Sequence, residues 1–317
     1  MIPKYTYFIQ LSLLFFIAAT HEASAHGKDL HKIVYLISPS RSLSVAFTQA
    51  MNARGDFEIF SEPSQYAYCM ANLADLGKFG TAEALRFVYK DEAAPDFNEV
   101  KNRLYDAAKT GMVFAKEISY AVDGFLHQDT EFITNPSVYF IFLVRDPHHS
   151  AISFYKKTSD QTMGNWDFWR INWSFWLGYE SQLKLFNHIK NLTVNKPIII
   201  RTEDVYNDLS GIMQSLCTHL GIDYKPEALE WSAQGNTDEW HEIKHAAHAT
   251  LWHQEAMNST TIQKPSTYDV DAQGLPTFCE ITDDAHHKIC QDGYQKNMPF
   301  YQELVANTEY LLTPLSK

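Results

Sequence analysis

The chain has 317 residues, of which 45% are hydrophobic and 14% aromatic, enough to core one large domain or two small ones. A formal net charge of −12 argues against a general nucleic-acid binder, which carries a basic face, but leaves room for a local basic pocket. Four cysteines are too few for a disulfide scaffold.

The N-terminus reads as a targeting segment. Lys4 is followed by an apolar stretch from Tyr7 to Ala19, and Ala23-Ser24-Ala25 fits a small-x-small cleavage site. The run is shorter than the ~20 residues a spanning helix needs, which favours a cleaved export signal over a retained anchor. Residues 1–25 are therefore expected to be removed, giving an exported protein with no stable membrane span.

Past the leader, five short runs have strand character: 33–37 "IVYLI", 57–60 "FEIF", 112–116 "MVFAK", 138–144 "VYFIFLV" and 197–201 "PIIIR". Three are almost continuously apolar, as strands covered on both faces are. Helical patterns near 44–53, 98–109, 148–158, 166–190 and 205–220 separate them. Alternation of this kind predicts an α/β fold with a parallel central sheet of about five strands flanked by helices. From about 224 the strand signals stop, and a helical or loop tail completes a single domain over 26–317.

The first strand runs into "SPSRSLS", residues 38 to 44. A strand-to-helix loop offers backbone N–H groups and the positive end of a helix dipole, both suited to an anion. Arg41 adds a permanent charge with bidentate geometry, and Ser42 and Ser44 add hydroxyls. The loop lacks the glycines and lysine of a Walker motif. The plainer alternative is a helix cap at Ser42 or Ser44, with Arg41 in solvent. The fourth strand repeats the arrangement. Arg145-Asp146-Pro147 follows it, and Ser153 lies about two helical turns further on. Anion sites at two strand ends suggest one ligand with two separated phosphates.

Together, "SPSRSLS" and "RDPHHSAISFY" resemble the sulfotransferases that use 3′-phosphoadenosine 5′-phosphosulfate (PAPS). "RGDFEIFSEPSQ" (54–65), "VFAKEISY" (113–120) and "IIIRTEDVYNDLSGIMQSLCTHLGI" (198–222) are similar to that family's second, third and fifth strand regions. The resemblance implies a P-loop NTPase-like fold. It places PAPS, as co-substrate, on Ser38, Arg41, Ser42, Leu43, Ser44 and Val45 in the first loop and on Arg145 and Ser153 in the second. Leu43 stands where glycine is frequent and Val45 where a second hydroxyl is usual. Position 118 is Ile, so the K-x-H histidine of many members is missing.

The implied reaction is in-line transfer of a sulfuryl group to a hydroxyl of a glycan, lipid, peptide or small molecule, with no metal required. Arg41 and Lys116 would stabilise the leaving phosphate. Glu62, directly before Pro63, is the preferred general base and Glu117 its rival; either could instead be a surface carboxylate or an ion-pair partner.

Three features stand apart. Trp166, Trp169, Trp173 and Trp176 recur at helical spacing, as a core stripe or an acceptor platform. "HEIKH", 241 to 245, satisfies the H-E-x-x-H zinc-protease signature, with His248 one turn on, although Lys244 and the abundance of histidine argue against it. A third possibility is a non-catalytic nucleotide- or glycan-binding module on the same fold. Cys279 and Cys290, enclosing "EITDDAHHKI", are the expected disulfide if the protein is exported.

Overall fold

Alternate residues of the first strand point to opposite sides of a sheet, and both sides are covered. The computed structural model describes residues 30–72, 96–159, 166–232, 240–241, 253, 255–264, 277–279 and 281–315. The export signal predicted over 1–25 lies outside these residues, as do Glu242, Lys244, His245 and His248 of the H-E-x-x-H region.

In chain order the first half comprises β1 (Ile33–Ser38), α1 (Ser44–Ala53), β2 (Phe57–Ser61), α2 (Gln65–Ala71), α3 (Phe97–Ala108), β3 (Met112–Ile118), α4 (Ser119–Leu126) and α5 (Thr130–Thr134). Then come β4 (Val138–Val144), α6 (Pro147–Thr158), α7 (Trp166–Trp169), α8 (Trp173–Leu177) and α9 (Tyr179–Ile189). The last are β5 (Ile198–Arg201), α10 (Thr202–Asn207), α11 (Leu209–Leu220) and the long α12 (Asp284–Val305).

The five strands form one parallel sheet in the order β2-β3-β1-β4-β5. All five predicted strands are present, and the predicted α/β class holds. Ile33, Tyr35 and Ile37 pack on one face with Phe140, Phe142, Leu185 and Phe186. Val34 and Leu36 pack on the other with Phe47, Met51, Ile212 and Leu216. Burial on both faces is why these strands read as unbroken apolar runs.

The strand order fixes where a ligand fits. From β1 the chain leaves toward β2 on one side, and from β4 it leaves toward β5 on the other. The two connections diverge above the β1–β4 pair, opening a crevice at the carboxyl ends of the strands. Gln182 on α9 donates from Nε2 to the carbonyls of Ile37 (3.2 Å) and Leu143 (2.9 Å), tying the two strand ends beneath that crevice.

The helix expected over 166–190 is interrupted. Gly178 takes φ 87°, a left-handed conformation that ends α8 and starts α9 at a new angle. A Cβ there would lie 2.5 Å from Ser119 Oγ and 3.6 Å from Pro39 Cα, so the glycine also permits close approach to the first loop. The helix expected over 205–220 begins earlier, at Thr202, and breaks at Asp208, whose side chain caps α11 by accepting from Gly211 N.

The C-terminal chain covers both sheet edges. His241 bridges to Phe60 of β2, and Leu312 N donates to Ile199 O of β5 at 2.8 Å. His241 is thus extended here rather than helical. Its Nε2 lies 2.6 Å from Glu58 Oε1 and its ring stacks on Phe60. Trp173 and Trp176 are buried in a third apolar cluster with Trp166 and Trp169 against it, which answers for the tryptophan stripe as packing. Cys279 and Cys290 are thiols rather than the expected disulfide: Cys290 is buried on α12 and Cys279 is exposed. In the Arg-Gly-Asp run at 54–56, Arg54 is buried, paired to Asp56 and donating to Asp223 O, while Gly55 is exposed.

Candidate active site

The loop after β1 is held in an unusual backbone shape. Arg41 and Leu43 both adopt positive φ, 59° and 65°. A non-glycine residue in this region costs roughly 1–2 kcal/mol, which accounts for the frequency of glycine at the position Leu43 occupies in the resemblance. Leu43 is the residue that caps α1, and it supplies no side-chain hydrogen bond to the helix. The alternative of a serine cap therefore fails: Ser42 Oγ turns back to donate to Pro39 O at 2.8 Å. Ser44 and Val45 form the first helical turn. Two contacts to α8 anchor the loop, Ser40 N to Leu177 O at 3.0 Å and Ser40 Oγ to Trp176 O at 2.6 Å.

Both predicted anion motifs meet on this loop. Arg145, buried just past β4, donates from Nη1 to the carbonyl of Arg41 at 2.7 Å. Arg41 in turn donates from Nε to Ser153 Oγ at 3.0 Å. Ser153 and Arg145 thus both contact Arg41, one through its guanidinium and the other through its carbonyl. The Arg145 carbonyl accepts from Tyr179 Oη at 2.7 Å, and the same hydroxyl oxygen lies 2.8 Å from Ser150 Oγ, from which it can accept. Arg145 Nε is buried and has no hydrogen-bond partner among the described residues. Burial and the neighbouring Arg145 lower the pKa of Arg41, while Glu255 opposes them.

On the other flank stand Glu62 and Lys116. Glu62 has φ 57°, left-handed and directly before Pro63, which turns the chain out of β2. Its amide donates to Lys116 O at 2.6 Å, and its carboxylate is ion-paired with the buried Lys116 ammonium. Burial alone would raise the Glu62 pKa. Lys116, assisted by His253 and Arg41, outweighs it and holds the carboxyl below its ordinary value, so Glu62 is ionised.

Glu117 is in a different setting. It is fully buried and accepts from Ser64 N at 3.0 Å and from Tyr35 Oη at 3.3 Å. Burial pushes its pKa up to about 8, so it is protonated at neutral pH. Ser38 Oγ donates to the Glu117 carbonyl at 3.4 Å, joining the start of the loop to β3. Two carboxyls on adjacent strand ends are thus driven in opposite directions by their surroundings.

Sequence reading missed two residues here, both from the C-terminal segment. His253 is buried with Nε2 3.9 Å from Glu62 Oε1, and burial lowers its pKa to about 4, leaving it neutral. Glu255 reaches Arg41. Nothing local distinguishes His253 among the chain's 14 histidines. Among the described residues no His/Cys/Asp/Glu group has the arrangement of a metal site.

Residues 86–226 match the model of the "Sulfotransferase family". Among solved structures, the sulfotransferase domain from the curacin biosynthetic pathway is 17% identical, with 89% of this chain and 99% of that one covered at a TM-score of 0.43. The sulfotransferase domain of the Synechococcus PCC 7002 olefin synthase is 15% identical (84% and 95% covered, TM-score 0.39). Mouse sulfotransferase SULT7A1 complexed with PAP is 11% identical (88% and 88% covered, TM-score 0.43). No curated protein matches. Residues 86–226, which carry β3, β4, β5, Lys116, Arg145 and Ser153, are thus similar to the sulfotransferase family.

Proposed function

We propose that the protein transfers a sulfuryl group from PAPS to a hydroxyl of its acceptor. The observation that carries this reading is the union of the two anion motifs: Arg145 grips the Arg41 carbonyl while Arg41 grips Ser153. A ligand with two phosphates fits such a wall. The buried, unpartnered Arg145 Nε and a helix start with no side-chain cap are donors suited to it.

The donor supplies the sulfuryl group and departs as adenosine 3′,5′-bisphosphate. The protein's own part is positional and electrostatic. Arg145 and Ser153 hold the 3′-phosphate, and the first loop, with Arg41 and residues Ser38 and Ser42 to Val45, holds the 5′ end. Arg41 and Lys116 place positive charge where the leaving phosphate gains negative charge. Glu62, ionised and partly accessible beside Lys116, takes the acceptor proton. Glu117 is protonated and buried, which suits it to supporting β3 and the Ser64 amide rather than to accepting a proton. These side chains can neutralise the developing charge without a metal.

Export is carried in this proposal from the sequence of residues 1–25, together with a single domain over 26–317. Among the described residues no helix is long and apolar enough to cross a membrane. N-terminal sequencing of the mature protein tests the cleavage, expected after Ala25.

The activity is tested by incubating the protein with radiolabelled PAPS and panels of glycans, lipids, peptides and small hydroxyl compounds. Label passing to an acceptor, inhibited by adenosine 3′,5′-bisphosphate, is the expected result. Nucleotide binding without turnover on any acceptor would favour a binding module. Catalysis of peptide cleavage dependent on zinc would favour the H-E-x-x-H reading.

A further inference from the structure

Glu255 is 72% exposed, yet each of its carboxylate oxygens meets a sheltered cation. Oε2 lies 3.4 Å from Arg41 Nη2, and Oε1 lies 3.2 Å from Lys157 Nζ. The Arg41 and Lys157 side chains are each only 16% exposed. Lys157 stands four residues after Ser153 on α6, so its ammonium and the Ser153 hydroxyl share one helix face. Ser153 already accepts from Arg41. Three donors from the first loop and α6 thus line one wall, and a single exposed carboxylate bridges two of them.

Such a bridge marks the place of an anion. A phosphate has more charge and more acceptor oxygens than a carboxylate, and Arg41 cannot give its Nη2 face fully to both. The exposure of Glu255 makes it easy to displace, since an exposed ion pair contributes little. Lys157, by contrast, is held near the crevice by the helix that carries Ser153.

We infer that Lys157 is a third cation of the donor site, beside Arg41 and Arg145, and that Glu255 competes with a donor phosphate for Arg41 and Lys157. The C-terminal segment thereby lowers donor affinity by a fixed amount until its carboxylate swings aside. The ligand class is a nucleoside bisphosphate or phosphosulfate, and the inference rests on the reading of the Arg41–Ser153 wall as its phosphate site.

The test is calorimetry of the full chain with adenosine 3′,5′-bisphosphate, using Glu255→Gln, Lys157→Gln, Lys157→Arg and the Glu255→Gln/Lys157→Gln pair. Glu255→Gln should tighten binding about three- to tenfold, the scale of two exposed ion pairs released from competition. Lys157→Gln should weaken it about tenfold, with Lys157→Arg close to wild type. In the paired variant the gain from Glu255→Gln should shrink, because one of the two contested cations is gone. Wild-type binding that neither single substitution changes by twofold overturns the inference alone. Weaker binding in Glu255→Gln also overturns it, by making Glu255 a ligand contact. No binding by wild type overturns it together with the donor-site reading beneath it.

Discussion

Arg145 donates to the backbone carbonyl of Arg41 at 2.7 Å, so the arginine of the second anion motif holds the loop of the first in shape. Its role in the fold and its proposed role toward the ligand are therefore coupled. The buried guanidinium holds a loop carrying two left-handed non-glycine residues, and its Nε has no hydrogen-bond partner among the described residues.

Arg145→Ala should accordingly weaken adenosine 3′,5′-bisphosphate binding more than Arg41→Ala does. Each loses a charge-assisted contact of roughly 1.5–3 kcal/mol. Arg145→Ala also leaves the Arg41 carbonyl without that donor, releasing the loop. Calorimetry on both variants, with thermal unfolding alongside, checks the order. Equal affinity to wild type in both would remove the two-phosphate reading.

Gly178 is the second device that shapes this loop, from outside it. With φ 87° and a Cβ position 2.5 Å from Ser119 Oγ, Gly178→Ala meets strain and a clash together. The backbone part alone is worth roughly 1–2 kcal/mol. We expect a clear drop in Tm and a weaker donor affinity, because α8 carries the Leu177 and Trp176 carbonyls that anchor Ser40. A variant with wild-type Tm and affinity would show that the loop is set by Arg145 alone.

The fold was legible where burial is two-sided. β1, β4 and β5 read as strands because almost every residue in them is apolar, and the alternation with helices then dictated parallel pairing. Arg41 and Arg145 were legible as candidates because they follow strand ends with hydroxyls and a proline nearby, and Ser153 because it lies on the helix that follows β4. Other features have no local signature. The left-handed turn at Glu62 depends on Pro63 and on the Lys116 carbonyl across the sheet. The break at Gly178 is a close approach to residues 39 and 119, which no window of sequence contains. His253 and Glu255 reach the site from a segment more than a hundred residues beyond Arg145, so only tertiary packing reveals them. The expected Cys279–Cys290 bridge failed because proximity in sequence says nothing of direction: α12 turns Cys290 into the core.

That correction is measurable. Alkylation of the native protein, followed by peptide mass spectrometry, should label Cys279 rapidly and leave Cys69, Cys217 and Cys290 unmodified. Cys279 is exposed, while burial pushes the Cys69 and Cys290 thiols up to about 12 and raises that of Cys217. A disulfide-linked peptide joining Cys279 and Cys290 in the exported form would restore the sequence expectation.

Glu117 predicts a pH dependence of stability. Its pKa is raised by burial from an ordinary 4.5 to about 8, so across that interval the folded chain binds a proton that the unfolded chain has released. Stability from this group is therefore complete below about pH 4.5 and is lost as pH rises through about 8. Glu117→Gln can still accept from Tyr35 Oη and Ser64 N through its amide oxygen, and it does not titrate. Denaturant unfolding at a series of pH values should show wild type losing stability relative to the variant between those limits. Parallel curves would mean that Glu117 is ionised in the fold.

The decisive comparison sets Glu62 against Glu117. Lys116 keeps Glu62 ionised, so it can accept a proton, whereas buried Glu117 already holds one. Glu62→Gln keeps the shape and loses the basicity, and loss of a general base typically costs 10²–10⁴ in rate. Donor affinity should remain near wild type or improve, since the carboxylate repels an anionic ligand and its removal leaves Lys116 more available. Glu117→Gln should cost much less in turnover. The pH profile adds a second readout. Because Glu62 is held below its ordinary pKa of 4.5, the acid limb of kcat/KM should fall below that value and vanish in Glu62→Gln. Full turnover in Glu62→Gln together with its loss in Glu117→Gln would move the base to β3. An acid limb unchanged by Glu62→Gln would assign that ionisation to another group.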